Sequence, residues 1–231
     1  MSQQAADPAA GAILHSARAL ARRIAAEGPA AGGRTDDAED GVETAVGACL
    51  GLHARDWIVV GRRHLGAALA RGLGADTLFA DATGAEGSLT GGRDRALGLA
   101  DATRRILGSG GLPASGVPAA AGLAFGLRAL REEAVVLALV APGGAATGDF
   151  HEGVSLAAAR RLPLVVVVER RAGAGDSDPV APASRAVAYG MPSKTVDGSD
   201  LAAVRDAVAA ARAAALASGP VLIEARLGAA H

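Results

Sequence analysis

Aromatic residues, cysteine and lysine are scarce in this 231-residue chain. Phe, Trp and Tyr make up 2% of it while half is hydrophobic, so a core has to be built from Ala, Val and Leu. The single cysteine, Cys49, excludes an internal disulfide and a cysteine-based metal cluster, and we expect a small core residue on a helix. Lys194 is the only lysine. Because alanine is so abundant, we attribute the dominance of arginine to genome composition and not to selection for phosphate binding.

Strong net charge and long apolar runs are also absent. The net charge is −1, and no basic stripe is interleaved with aromatic residues, which argues against nucleic acid as a partner. No apolar run reaches the ~18 residues of a membrane span, so no membrane partner is expected. The first twenty residues lack the order of a signal peptide. We therefore expect a cytoplasmic protein.

Short β-branched runs alternate with segments of helical spacing along the chain. This alternation predicts an α/β fold with a doubly wound, mainly parallel sheet that has helices on both faces. Residues 1–38 are expected to form an N-terminal helix and a mobile loop, and residues 39–231 one α/β domain. Strands are predicted at 56–60, 135–140, 164–168, 194–196 and 221–225, and helices at 13–26, 41–52, 94–107, 117–131, 149–161 and 199–216. Asp149 and Ser199 are the expected N-caps of the last two helices.

The centre of the chain, residues 135–171, reads as a strand, a glycine turn, a helix and a second strand. Such a unit directs backbone N–H groups at a helix N-terminus, which suits a phosphate. The pattern GxGxxG is absent, so a nicotinamide fingerprint is not supported.

The order of motifs in this unit resembles the alpha subunit of the thiamine-diphosphate-dependent 2-oxo acid dehydrogenases, the decarboxylating component of the pyruvate, branched-chain and acetoin complexes. That family reads GDG, G-x-F-H-E, L-P and E-N-N-x-Y. The resemblance covers residues 39–226 and rests on Gly41-x-Glu43-x-Ala45, Arg63, Arg71-Gly72, Val117-Pro118, Gly122, Gly148-x-Phe150-His151-Glu152, Leu162-Pro163, Glu169, Tyr189-Gly190, Val196-Asp197-Gly198 and Gly219-Pro220-x-Leu222-Ile223-Glu224.

The resemblance implies a thiamine-diphosphate-binding fold, a beta-like subunit as partner in a heterodimer or heterotetramer, and a cofactor held between the subunits. It also implies candidate residues for the diphosphate region. These are Arg63, Gly143, Gly144, Arg170, Arg171 and Gly173, the last through its backbone carbonyl.

The metal ligands of that family are replaced. The Asp of GDG is Pro142 here, and the second Asn of E-N-N is Arg171. Hard cations need oxygen ligands, and an arginine carries only donors. Its charge would repel Mg²⁺ by a few kcal/mol at an effective dielectric constant of about 20. We therefore expect no Mg²⁺ site.

Two interpretations of Arg170 and Arg171 stay open. Either the guanidinium groups replace the metal and hold a diphosphate directly, or the site is lost and they pair with Glu169 or with Asp176 and Asp178. Three functions follow: a non-catalytic, structural or regulatory alpha-like subunit; an active half-site for thiamine-dependent 2-oxo acid chemistry; or an unrelated module that binds a small anion. Whether the chain is an enzyme is left open.

Three further side chains have alternative roles. For His151 we expect a structural hydrogen bond and not acid–base work. His64 is a candidate ligand contact, and Glu43 a candidate contact with a partner.

Overall fold

The computed structural model describes residues 8–27, 39–93, 99–109, 111–171 and 180–228. Within these ranges the chain forms one sheet. Its strands are β1 Trp57–Val60, β2 Ala100–Asp101, β3 Ile106–Gly108, β4 Val136–Val140, β5 Leu164–Arg171, β6 Ser193–Asp197 and β7 Val221–Leu227.

The described helices connect these strands. They are α1 Pro8–Glu27, α2 Val42–Leu50, α3 Leu65–Ala70, α4 Ala75–Thr83, α5 Gly116–Ala129, α6 Gly148–Ala159, α7 Pro182–Ala188 and α8 Leu201–Ser218. Short 3₁₀ turns lie at Arg62–His64, Ala102–Arg104 and Gly144–Ala146. None of the described helices is both long enough and apolar enough to span a bilayer.

The strand order is β2-β3-β1-β4-β5-β7-β6. All pairings are parallel except that of β2 with β3, which is antiparallel. The predicted mainly parallel, doubly wound sheet is therefore confirmed. From β1 the chain continues to β2 and β3 on one side of the sheet. From β4 it continues to β5 on the other side. The switch point of the sheet accordingly lies between β1 and β4, where ligands of such sheets bind at the carboxyl ends.

Helices cover both faces of the sheet, and β5 shows why its sequence is a continuous apolar run. Val165 and Val167 belong to the core shared with α2, α3 and α8, while Val166 and Val168 belong to the core shared with α5 and α6. A strand buried on both faces has no solvent side on which to place polar residues.

With few large side chains, the helices approach one another closely at glycines. A Cβ on Gly51 would lie 2.5 Å from the carbonyl oxygen of Arg205 on α8, and one on Gly47 would lie 2.6 Å from that of Leu201. On the other face, a Cβ on Gly153 of α6 would lie 2.8 Å from the backbone nitrogen of Pro118 on α5. Glycine is therefore required where these helices cross.

A buried ion pair joins α8 to the residue before β1. Arg212 Nε lies 2.6 Å from Asp56 Oδ2, and Arg212 Nη2 donates to Asp56 Oδ1 at 3.1 Å. Asp56 also accepts hydrogen bonds from the backbone N–H groups of Val135 and His53, at 3.0 and 2.7 Å. The pair thus connects α8 to the residues that directly precede β1 and β4.

Several sequence predictions of local structure are wrong. The segment 99–108 is not helical, because it forms β2, a 3₁₀ turn and β3, while residues 94–98 lie outside the described ranges. The N-cap of α6 is Thr147, whose hydroxyl accepts from Phe150 N at 3.3 Å, and not Asp149. The N-cap of α8 is Asp200 and not Ser199. Both caps fall within two residues of the predicted ones because several Ser, Thr and Asp side chains compete there.

Candidate functional site at the carboxyl edge of the sheet

Three segments meet at the carboxyl edge of the sheet around its switch point. Arg62–His64 follow β1, the turn 141–144 follows β4, and Glu169–Arg171 form the last three residues of β5. The sequence predicted that β5 ends at Val168. Instead, Glu169, Arg170 and Arg171 continue the parallel pairing with β7.

The turn after β4 depends on its glycines. Gly143 has a left-handed backbone with φ of 80°. A Cβ on Gly144 would lie 2.5 Å from Val140 Cγ1, so the turn packs directly on the strand before it. The hydroxyl of Thr147, the N-cap of α6, donates to the carbonyl of Gly144 at 2.8 Å. This bond holds the turn against the start of α6. Pro142 is half-buried in this turn and offers no side-chain oxygen or nitrogen.

Both arginines at the end of β5 have acidic partners from distant parts of the chain. Arg171 Nη2 lies 2.9 Å from Asp40 Oδ2, just before α2. Arg170 Nη1 lies 3.7 Å from Oε1 of Glu224 on β7. Glu224 is fully buried and also accepts from Arg226 Nε and from the backbone N–H of Ala183, each at 3.0 Å. These ion pairs connect β5 to the entry of α2, to β7 and to α7.

A buried histidine–glutamate pair lies at the same edge. His64 Nε2 is 3.4 Å from Glu169 Oε2, and the side chains are 2% and 1% exposed. Neither the ring nitrogens nor the carboxylate oxygens have a hydrogen-bond partner among the described residues. Glu169 Oε1 lies against Gly41, where a Cβ would approach it to 2.1 Å and where φ is 79°. The pair is therefore an interior contact that links β1, β5 and the start of α2.

The structure brings some predicted site residues together and leaves others apart. Arg63 is exposed beside the buried His64, and Gly143 and Gly144 shape the neighbouring turn. Gly173, Asp176 and Asp178 lie outside the described residues. Sequence reasoning missed Asp40 and the role of Glu224. The signal for Glu224 was present, since a lone carboxylate in the apolar run VLIEA has to find a partner when it is buried.

His151 and Glu43 have partners within the chain. His151 Nδ1 lies 2.9 Å from the hydroxyl of Tyr189, so the expected hydrogen bond is present. Burial raises the pKa of the Tyr189 phenol, an effect that the nearby Arg185 partly offsets. Glu43 pairs with Arg18 of α1. Within the described ranges, no group of three or more His, Cys, Asp and Glu side chains is placed to hold a metal ion.

Solved structures with the same arrangement define the class of fold. A transketolase from Pichia stipitis matches with a TM-score of 0.71 at 14% identity, over 96% of this chain and 36% of its own. A transketolase from Campylobacter jejuni matches with a TM-score of 0.70 at 15% identity, over 96% and 38% of the two chains. The chain thus has the α/β fold of the thiamine-diphosphate-binding proteins.

The family follows from the sequence comparisons. The model of the family described as "Dehydrogenase E1 component" matches residues 38–227. The alpha subunit of acetoin:2,6-dichlorophenolindophenol oxidoreductase of Bacillus subtilis is 36% identical, over 78% of this chain and 56% of its own length. The pyruvate dehydrogenase E1 component subunit alpha of Rhizobium meliloti is 31% identical, over 78% and 53%. The chain belongs to the dehydrogenase E1 component family and resembles its alpha subunits. It spans about half the length of these relatives.

Proposed function

We propose that this chain is an alpha-type component of a thiamine-diphosphate-dependent 2-oxo acid dehydrogenase, that it acts beside a beta-type subunit, and that it has a structural or regulatory role without a Mg²⁺–diphosphate site. Its relatives are alpha subunits, which supports the first part. The observation that carries the last part is the ion pair of Arg171 with Asp40 at 2.9 Å, because Arg171 stands where the family has a metal-ligating Asn.

The donor set at this edge does not fit the metal. Mg²⁺ prefers octahedral oxygen ligands, and neither Pro142 nor Arg171 can supply one from its side chain. Near a protein surface, a unit charge 4 Å from another contributes about 4 kcal/mol, so the guanidinium would oppose a divalent cation strongly. Asp40, whose carboxylate lies at this edge, is paired with Arg171.

The alternative, in which the arginines hold the diphosphate of the cofactor directly, would require them to exchange partners. Arg170 faces the buried Glu224, and Arg171 faces Asp40. Drawing Arg170 away would leave Glu224 with Arg226 and one backbone N–H as partners in a fully buried position. Uncompensated buried charge is costly, which favours the structural role over this alternative.

Calorimetric titration of thiamine diphosphate tests the absence of the site. The titration is made with Mg²⁺ and with EDTA, into the chain alone and into its complex with a beta-type subunit. We expect no binding that depends on Mg²⁺ and on residues of this chain. In the variant Pro142→Asp/Arg171→Asn we expect Mg²⁺-dependent binding to appear, because two oxygen ligands return. The matched control is Pro142→Ala/Arg171→Ala, which removes the same side chains without adding a ligand.

Two results would contradict the proposal. Mg²⁺-dependent binding that needs this unmodified chain would show a working metal site. Thiamine diphosphate binding that is unchanged by EDTA and is lost in Arg170→Ala/Arg171→Ala would support the active half-site instead. The partner is tested separately by co-expression with a beta-type subunit and size-exclusion chromatography, where a complex of stable stoichiometry is expected. The division at residue 38 and the cytoplasmic location stay predictions.

A further inference from the structure

A second charged region lies at the opposite edge of the sheet, where β4, β5 and β7 begin. A hollow of about 500 Å³ is lined there by the end of α5, the end of α8 and the residues before β5. Two smaller hollows of about 310 and 270 Å³ adjoin it, and Arg161 lines all three. The largest is within the size range of pockets that take small molecules. This region is separate from the carboxyl edge and independent of the function proposed above.

Two arginines at this hollow adopt a backbone conformation that favours glycine. Arg131 follows α5 with φ of 58°, and Arg161 follows α6 with φ of 48°. Each helix ends with the hydrogen bonds of a Schellman motif, from Glu132 N to Leu127 O and from Leu162 N to Ala157 O, both 2.9 Å. Glycine is the usual residue at this left-handed position because it has no Cβ. Two non-glycine residues with this strained backbone lie beside one hollow, which points to a role for their side chains.

Two acidic residues, Glu132 and Glu133, also line the hollow, and each is paired with an arginine outside that lining. Glu132 lies 3.5 Å from Arg105, and Glu133 lies 3.3 Å from Arg55. By contrast, the exposed side chains of Arg131, Arg160 and Arg161 have no ion pair or hydrogen bond with the described residues. The hollow therefore carries an uncompensated positive charge.

The ends of three helices near the hollow do not account for these arginines. The carbonyl ends of α5, α6 and α8 carry partial negative charge, about half a unit each. Arg128 already serves this purpose, since its guanidinium donates to the carbonyl oxygens of Arg160 and Arg161. Arg128, Arg131 and Arg161 line the hollow, and Arg160 lines the adjoining one of about 270 Å³. These four guanidinium groups exceed what three helix ends require, and the three without an ion pair or hydrogen bond to the described residues are available to a ligand.

We propose that this hollow binds a small molecule with a multivalent oxyanion group, a diphosphate or a polycarboxylate. Guanidinium groups match both oxyanions through paired N–H···O bonds. Arg131 and Arg161 are the principal ligand-binding residues, and Arg128 positions Arg161 through its carbonyl. Ser218, at the end of α8, lines the same hollow and contributes a hydroxyl.

The probes for the test are inorganic pyrophosphate and citrate, titrated into the full chain by calorimetry at low and at physiological ionic strength. The key variant is Arg131→Gly/Arg161→Gly, which removes both charges and relieves the left-handed backbone. We expect the affinity for pyrophosphate or citrate to fall by at least about tenfold. The Tm should hold or rise by up to ~4 °C, so that lost binding cannot be due to unfolding. The probe that binds more tightly identifies the oxyanion.

Two matched controls locate the site. Arg205→Gln removes a half-buried arginine on α8 that does not line the hollow, and Arg22→Gln removes an exposed one on α1. Both should leave the affinity unchanged. The proposal is overturned if neither probe binds the unmodified chain. It is also overturned if the variant Arg131→Gly/Arg161→Gly binds the probes with the same affinity as the unmodified chain. Equal losses in all variants would mean non-specific charge attraction, and that result also overturns the proposal.

Discussion

Removing Arg212 tests how far the fold depends on its buried ion pair. Asp56 is fully buried and Arg212 is 9% exposed at its side chain. In Arg212→Met the apolar stem of the side chain is largely kept, and among the described residues the carboxylate of Asp56 retains the backbone N–H groups of Val135 and His53 as partners. Leaving one charge of a buried pair uncompensated costs about 3–5 kcal/mol. For a chain of this size, we expect the Tm to fall by roughly 10 °C.

The double variant Asp56→Asn/Arg212→Met distinguishes this charge effect from lost packing. It has no buried charge, and Asn keeps one of the two acceptor oxygens, so we expect it to lie within about 2 kcal/mol of the unmodified protein. Urea denaturation of the four members of the double-mutant cycle gives the coupling energy. If Arg212→Met loses less than about 1 kcal/mol, or if the double variant is as unstable as the single one, the pair does not have the stabilising role described here.

Two further predictions concern helix packing and pH. In urea denaturation, Gly153→Ala should lower the free energy of unfolding by roughly 1–3 kcal/mol, because its Cβ would lie 2.8 Å from Pro118 N. The control Gly122→Ala, whose Cβ would have nothing within 4 Å, should be neutral or stabilising. Equal effects of the two substitutions would contradict the packing argument. The hydroxyl of Thr103, followed by Arg104, lowers the pKa of Asp101 to about 2. Because the folded pKa is depressed, its stabilisation is present above pH 4 and lost as the pH falls towards 2, so Asp101→Asn should reduce that part of the pH dependence, measured by denaturation between pH 2 and 7.

Patterns that repeat along the chain were read correctly from the sequence. The run LVVVV had to be a strand buried on both faces, and its place between two helical segments required parallel neighbours. The helix Leu201–Ser218, predicted at 199–216, was visible from alanine-rich periodicity and from Gly219, which follows it with φ of 112°. The short strand Ile106–Gly108 was missed because three residues give no periodicity to read, and only its pairing with β1 makes it a strand.

The candidate site was less accessible to prediction. The proposed replacement of the family's metal ligands by Pro142 and Arg171 follows from their positions in the motifs, but the partners of Arg170 and Arg171 could not be predicted. Their partners lie far away in sequence: Asp40 precedes α2, and Glu224 is on β7. Nor does the sequence indicate that His64 is buried against Glu169; beside two arginines it was expected to be a candidate ligand contact.

The sequence by itself determined the α/β class, the family and the residue types at the positions where the resemblance predicts metal ligands, because each of these is a property of residue type and local order. Only the tertiary structure decided that Glu169 is buried against His64 and Gly41, that Arg170 and Arg171 are held by carboxylates, and that Arg131 and Arg161 lie at one hollow. The physical reason is that burial and ion pairing depend on the distance between segments remote in the chain, and that distance is set by how the sheet and its helices pack.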